Sequence, residues 1–216
     1  MRRTDIINIL IAKFGYDSYL EIGAGNLNVN FNQINIKNKY SVEPFLKEGF
    51  SSKNYSFVGT SDEYFSFVSG DVKFDIIFID GLHHSDQVLK DIKNSLNHLS
   101  DNGTIVCHDC LPSTERMQER NNHGGEWTGD VWKSIAELRV ERIDLDIKVV
   151  DTDYGCGIIR RGETKPYVVN ENYKTYDYYS NNKNELLNVI STKNFLQWMN
   201  KFSVILPTAR RGNKLL

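Results

Sequence analysis

Hydrophobic positions along the chain follow two alternating rhythms. Runs in which nearly every position is apolar, such as Phe74–Ile79 and Gly103–His108, read as strands covered on both faces, since a half-exposed strand would alternate apolar with polar. Shorter runs at Ser18–Ile22, Lys39–Val42 and Tyr55–Gly59 precede them. Between the runs, apolar residues recur every three or four positions, the spacing of a helix with one buried face: Ser61–Ser69, Ser85–Leu99 and Asp130–Glu141, with a short helix around Asn28–Asn35. In Ser85–Leu99 the residues Val88, Leu89, Ile92, Leu96 and Leu99 form one stripe. Strands and helices in alternation predict an α/β fold around a mostly parallel sheet.

The ends complete the pattern. Met1–Phe14 reads as an amphipathic helix capped by Thr4, with Ile6, Ile7, Leu10, Ile11 and Phe14 inward. Asp5 and Asn8 interrupt its apolar run and no small-residue cleavage site follows, so it does not read as a signal peptide. Asp146–Arg160 reads as two strands around a tight polar turn, an antiparallel hairpin. Ser191–Met199 reads as a capped helix with Phe195, Leu196 and Met199 on one side. Cys110–Gly129 and the tyrosine-rich Tyr173–Asn184 show neither period, and the first is long enough for a functional loop. Without a repeat or a linker, residues 1–216 read as one domain, with 110–129 as a substrate lid and 205–216 as a flexible tail.

Composition narrows the classes. A chain of 216 residues, 40% hydrophobic and 25% charged with only 4 prolines, can bury one core and is neither disordered nor fibrous. A net charge of -2 gives no footprint for a phosphate backbone, which argues against nucleic acid; Arg160, Arg161 and Arg210, Arg211 are the local basic pairs. No apolar run reaches the roughly 18 to 20 residues of a membrane span. Three cysteines, an odd and low count, suit a reducing, cytoplasmic setting.

Two stretches carry chemistry. In YLEIGAGNLN, Tyr19–Asn28, a strand runs into a glycine turn whose amides can face a ligand. A dinucleotide fingerprint would place a third glycine at Asn28, which is absent, but Glu43, 20 residues after Gly23, ends the next strand where an acid can accept both ribose hydroxyls. The other stretch pairs FIDGLHHSD, Phe78–Asp86, with TIVCHDCLP, Thr104–Pro112. Cys107 and Cys110 have zinc-like spacing, but the one other cysteine, Cys156, lies inside a predicted strand, and a zinc knuckle needs a second ligand pair. Asp80 and the pair His108 and Asp109 end neighbouring parallel strands, so oxygen and nitrogen donors converge with positions left open for a substrate. His83 and His84 are the candidate bases, because an imidazole titrates near neutral pH. In GGEWTGDVWK, Gly124 and Gly125 can hinge the loop, Trp127 offers a flat face to an acceptor and Asp130 can accept from hydroxyls; equally, Thr128 or Asp130 can cap a helix with Trp132 in the core.

The glycine turn and Glu43 resemble class I S-adenosylmethionine (SAM) methyltransferases. That resemblance implies a Rossmann-like three-layer sandwich with a mostly parallel seven-stranded sheet and an antiparallel C-terminal hairpin. It implies Glu21, Gly23, Gly25 and Asn26 along the methionine part, Glu43 on the ribose, Thr60, Ser61 and Asp62 at the adenine, and Asp80 beside the cofactor. Over roughly Tyr19–Arg160, the motif IDGxH…HD is similar to the metal-dependent macrocin and mycinamicin sugar O-methyltransferases. By that likeness Asp80, His108 and Asp109 hold a divalent cation, and His83 is the general base. His108 stands where the sugar enzymes carry a carboxylate, which shifts preference from Mg²⁺ toward Mn²⁺, Fe²⁺ or Zn²⁺, or makes His108 a supporting group. Trp127, Asp130 and His84 fall on the acceptor side. The expectation is a SAM-dependent, metal-assisted O-methyltransferase acting on a small polyol, a sugar first, in a chain able to form homo-oligomers. A cephalosporin hydroxylase-like oxygenase and a non-catalytic SAM- or metal-binding module are the alternatives.

Overall fold

A computed structural model of the chain describes residues 1–169 and 172–203. The expected flexible tail at 205–216, with Arg210 and Arg211, lies outside the described residues. The elements are α1 (Arg3–Phe14), β1 (Ser18–Ile22), β2 (Asn38–Glu43), β3 (Phe57–Val58), α2 (Ser61–Phe67), β4 (Phe74–Ile79), α3 (Ser85–Asn97), β5 (Leu99–Cys107), α4 (Trp132–Glu141), β6 (Leu145–Val150), β7 (Cys156–Arg161), α5 (Tyr176–Leu186), β8 (Val189–Ile190) and α6 (Thr192–Asn200). The strands form one sheet in the order β3-β2-β1-β4-β5-β7-β6-β8. Strands β1 to β5 run parallel, while β7 pairs antiparallel with both β5 and β6.

The parallel register brings the chemistry to one edge. Ile22 lies level with Val42 on one side and Ile79 on the other, and Ile79 lies level with Cys107. Glu43, Asp80 and His108, each at or just past these positions, therefore come out on the carboxyl edge of the sheet. The order of strands reverses between β1 and β4, and ligands of open α/β sheets bind in the crevice at such a switch.

Alternate side chains of the central strands feed two cores, one on each face. Ile77, Ile79 and Ile105 pack under α3 and α4 with Val88, Ile92 and Trp132, whereas Ile76, Phe78 and Val106 pack under α1 and α6 with Ile6, Leu10 and Phe195. This is the expected three-layer sandwich. The predicted inward face of α1 is the buried one: Ile6, Ile7, Leu10, Ile11 and Phe14. The α3 stripe is buried at Val88, Ile92 and Leu96 and half-buried at Leu89.

Several expectations are corrected. The sheet has 8 strands rather than seven, because β8 adds two residues parallel to β6. The helix expected at Asn28–Asn35 is a single 3₁₀ turn, Phe31–Gln33, and the strand expected at Tyr55–Gly59 shrinks to Phe57–Val58. Thr4 does not cap α1. The helix starts two residues earlier, at Arg3 with Arg2 in the cap position; the Asp5 carboxylate accepts from the Arg2 amide at 2.8 Å, and the Thr4 hydroxyl donates to Asn30 at 2.7 Å. Leu196 is exposed on α6 instead of sharing the buried side of Phe195 and Met199. Helix α5 had no visible period because Tyr179 and Leu186 are its buried residues amid polar neighbours; it begins at Thr175, whose hydroxyl accepts from the Tyr178 amide, and Tyr179 rests against Trp132 at 4.6 Å between rings. No described helix is long and apolar enough to cross a membrane.

Candidate active site

At the switch point the carboxyl edge opens into two cavities that share Gly23, Gly25 and Asp80. The first, about 540 Å³, is lined by Glu43, Thr60, Ser61 and Asp62 among others; the second, about 630 Å³, by Glu21, Asn26, His83, His108, Asp109 and Trp127. Every expected cofactor residue thus lies on a wall of one cavity or the other. Gly23 is what lets them meet: its φ is +80°, and a Cβ there would lie 2.3 Å from the Asp80 carbonyl oxygen. No side chain fits between the β1 and β4 loops.

In the first cavity Glu43 is buried and its carboxylate accepts from the Gly25 amide at 2.7 Å and the Phe45 amide at 3.0 Å. Thr60 caps α2 in a reciprocal pair with Glu63. Ser61 and Asp62 are tied to Gln87 at 3.3 and 3.2 Å, and Asp62 to Lys90 at 2.7 Å. The acid under the second cavity, Glu21, is 1% exposed and bonded by the Tyr19 hydroxyl and the Asn30 amide. Burial pushes its carboxyl up to about 8, with the Asp80 charge adding to the rise and the Tyr19 and Asn30 bonds opposing it.

The second cavity holds the acid–imidazole cluster. His83 places Nε2 3.4 Å from Asp80 Oδ1 and Nδ1 3.2 Å from Asp109 Oδ2. His108 places Nδ1 3.3 Å from oxygens of both Asp80 and Asp109. Asp109 reaches this position with φ +61°, a left-handed conformation that Asp tolerates and that concentrates at functional sites. Burial alone would raise the Asp80 carboxyl, but His108 and His83 hold it well below the usual carboxylate range. Burial would lower both imidazoles, yet the surrounding carboxylates raise His83 and, more strongly, His108.

One ligand atom each from Asp80, His83 and Asp109 lie within 4.8 Å of one another, and His83 Nδ1 is buried with no hydrogen bond of its own. The Asp80 and Asp109 carboxylates supply hard oxygens that fit a divalent cation, with the His83 imidazole beside them. The expected ligand His108 lies beside this set, with Nε2 turned to Arg3 Nη1 at 3.1 Å and Asp153 Oδ2 at 3.5 Å.

Two expected acceptor residues are corrected. Asp130 is buried, and its carboxylate accepts from the Ser85 amide at 2.7 Å while facing Lys133 and Arg120 at 3.3 and 3.5 Å, so it closes the first turn of α3 rather than a substrate hydroxyl. His84 points at the Arg120 carbonyl, 3.0 Å away, on the outer side of the same turn. Neither lines the two cavities. Trp127 does, with its ring stacked on His83 at 4.8 Å and 15°. Trp132 is fully buried in the core. The three cysteines are free and buried, so the zinc-like spacing forms no sulfur site.

Sequence reasoning missed Arg3, Asn30, Glu126 and Tyr154 on the second cavity, and Asp153 behind it. Asp153 accepts from the Arg3 amide at 2.9 Å and from its guanidinium at 3.3 Å, tying the start of α1 to the β6–β7 turn. Nothing local marks Arg3, since its partner lies 150 residues away. The DYG of the turn, by contrast, is a readable signal: Asp153 and Tyr154 have φ of +49° and +60°.

Residues 20–110 match the model of a methyltransferase domain. No curated protein sequence matches the chain. Among solved structures, the protein assigned as a caffeoyl-CoA O-methyltransferase in Staphylococcus aureus is 18% identical with a TM-score of 0.56, over 74% of this chain and 82% of that one. The O-methyltransferase TomG of Streptomyces achromogenes, involved in tomaymycin synthesis and solved with SAM, is 13% identical with a TM-score of 0.53, over 74% and 79%. A Bacillus cereus O-methyltransferase, solved with SAH, is 14% identical with a TM-score of 0.52, over 75% and 82%. The chain thus has the fold of these O-methyltransferases, with a methyltransferase-domain match over residues 20–110 and two cavities that meet at the glycine turn.

Proposed function

We propose that the enzyme is an O-methyltransferase that moves the SAM methyl group to a hydroxyl of a small polyol, a sugar first. The observation that carries this reading is the meeting of the two cavities at Gly23, Gly25 and Asp80 beside His83 and Asp109. Glu43 would accept from the ribose hydroxyls, with Thr60, Ser61 and Asp62 around the adenine. Glu21, Gly23, Gly25 and Asn26 would line the methionine part, which aims the sulfonium at the second cavity. Asp80 and Asp109 would hold a divalent cation, with His108 bracing both carboxylates from behind. When bound, such a cation neutralises the paired acids and makes a nearby hydroxyl easier to deprotonate.

His83, whose ring nitrogens lie 3.4 Å from Asp80 and 3.2 Å from Asp109 on the wall of the second cavity, takes the hydroxyl proton. The acceptor oxygen then forms a bond to the methyl carbon while the carbon–sulfur bond breaks and its electron pair stays on sulfur. The donor is already reactive, so orientation in the second cavity supplies much of the rate. The domain acts as a single catalytic unit on a small molecule, in the cytoplasm.

The test is transfer of labelled methyl from SAM to a panel of neutral sugars, aminosugars and catechols, with and without chelator and added Mg²⁺ or Mn²⁺. Transfer to a sugar that stops on chelation and returns with the ion is expected. Transfer indifferent to chelator removes the cation from the account, and transfer to catechols alone removes the sugar.

A further inference from the structure

We infer that the segment Glu119–Asp130 is a fixed brace that positions the His83 imidazole through Trp127, and not a lid that opens over the acceptor. The inference rests on the reading of His83 as the base.

The turn that carries His83 is gripped at backbone and side chain. The His83 carbonyl accepts from the Asp130 amide at 3.2 Å. Gly129, at φ +58°, passes so close that a Cβ there would lie 1.9 Å from that same carbonyl oxygen, which only glycine permits. The Asp130 carboxylate holds the Ser85 amide two residues further on, supplying from another element the cap that His84 does not give α3. Arg120 ties the far side, with its guanidinium on Asp86 at 2.7 Å and its carbonyl on His84.

Trp127 completes the grip. Its indole lies over the His83 ring at 4.8 Å, close to parallel, and its Nε1 is held by the Glu119 carbonyl at 2.6 Å. A ring fixed at one edge and stacked on its face leaves the imidazole little freedom of rotamer, so both nitrogens stay turned to Asp80 and Asp109. The segment is anchored in turn to the protein body: Thr128 is buried and bonds the Met117 carbonyl through amide and hydroxyl, and Trp132, in the core, donates to Gln118 at 3.1 Å. Trp127 is therefore a positioning residue. From the wall of the second cavity it acts on the reaction through His83.

The experiment compares the wild type with Trp127→Ala and Trp127→Phe, using histidine-labelled NMR of the full chain, SAM binding by calorimetry, and methyl transfer to whichever sugar the wild type turns over. In the wild type one sharp His83 ring signal, shifted upfield by the indole, is expected. Trp127→Ala should return it downfield and broaden it, and lower kcat about 10- to 100-fold with SAM affinity unchanged; Trp127→Phe should restore both. A His83 signal or a kcat indifferent to Trp127→Ala overturns the brace, as does a loss of SAM affinity as large as the loss of kcat, which would mean general damage. Should His83→Ala leave kcat intact, the base assignment falls by itself, and the NMR comparison still decides the brace.

Discussion

Glu21 shows how one residue can carry both a cost and a role. At 1% exposure with a carboxyl pushed up to about 8, it holds a proton in the folded chain that it loses near its ordinary value when unfolded. The folded state therefore binds more protons between about 4.5 and 8, and stability falls as pH rises through that window. Glu21→Gln should flatten the slope by up to one proton, about 1.4 kcal/mol per pH unit, in urea unfolding followed from pH 5 to 9. Gly23 is constrained by space instead. Gly23→Ala places a methyl 2.3 Å from the Asp80 carbonyl and forces a side chain into positive φ, so it should destabilise by about 2–4 kcal/mol and weaken SAM binding, read by unfolding midpoint and calorimetry. Of the site residues, Glu21, Gly23, Glu43, Asp80 and His83 were legible because strand ends and glycine turns mark them in sequence. Arg3 and Asp153 were not, since their meeting depends on the first helix lying across the last hairpin.

Elements differ in legibility by the same logic. Strands β4 and β5 and the inward face of α1 were readable because burial on both faces, or on one regular stripe, leaves a pattern in sequence. Helix α5 was not, because its contribution comes down to Tyr179 against Trp132 and to Leu186. That contact makes a prediction at this scale. Trp132 is fully buried at the start of α4, so Trp132→Ala should cost about 3–5 kcal/mol, seen as a lower urea midpoint. The start of α3 was misread for a related reason. Asp130 looked like an acceptor residue or the cap of its own helix, and it caps α3 instead, across 45 residues of chain. Asp130→Ala should cost about 1–2 kcal/mol and raise hydrogen exchange at Ser85–Val88 above that of the rest of α3.

For the whole molecule, the sheet order does the organising. Reversal between β1 and β4 opens the crevice, the level register of β1, β2, β4 and β5 delivers Glu43, Asp80 and His108 to its rim, and the antiparallel β6–β7 turn closes the far side with Asp153 and Tyr154. The alternation of rhythms gave away this architecture, although the two-residue β8 left too short a trace to be counted. The central claim is that one cavity holds the donor while His83, in the other, activates a hydroxyl. Its most direct test is methyl transfer and SAM binding measured together on His83→Ala. The account predicts SAM affinity within about twofold of the wild type and transfer to a sugar hydroxyl reduced by roughly 10²- to 10⁴-fold. Transfer at the wild-type rate by His83→Ala, with SAM bound as before, would contradict it.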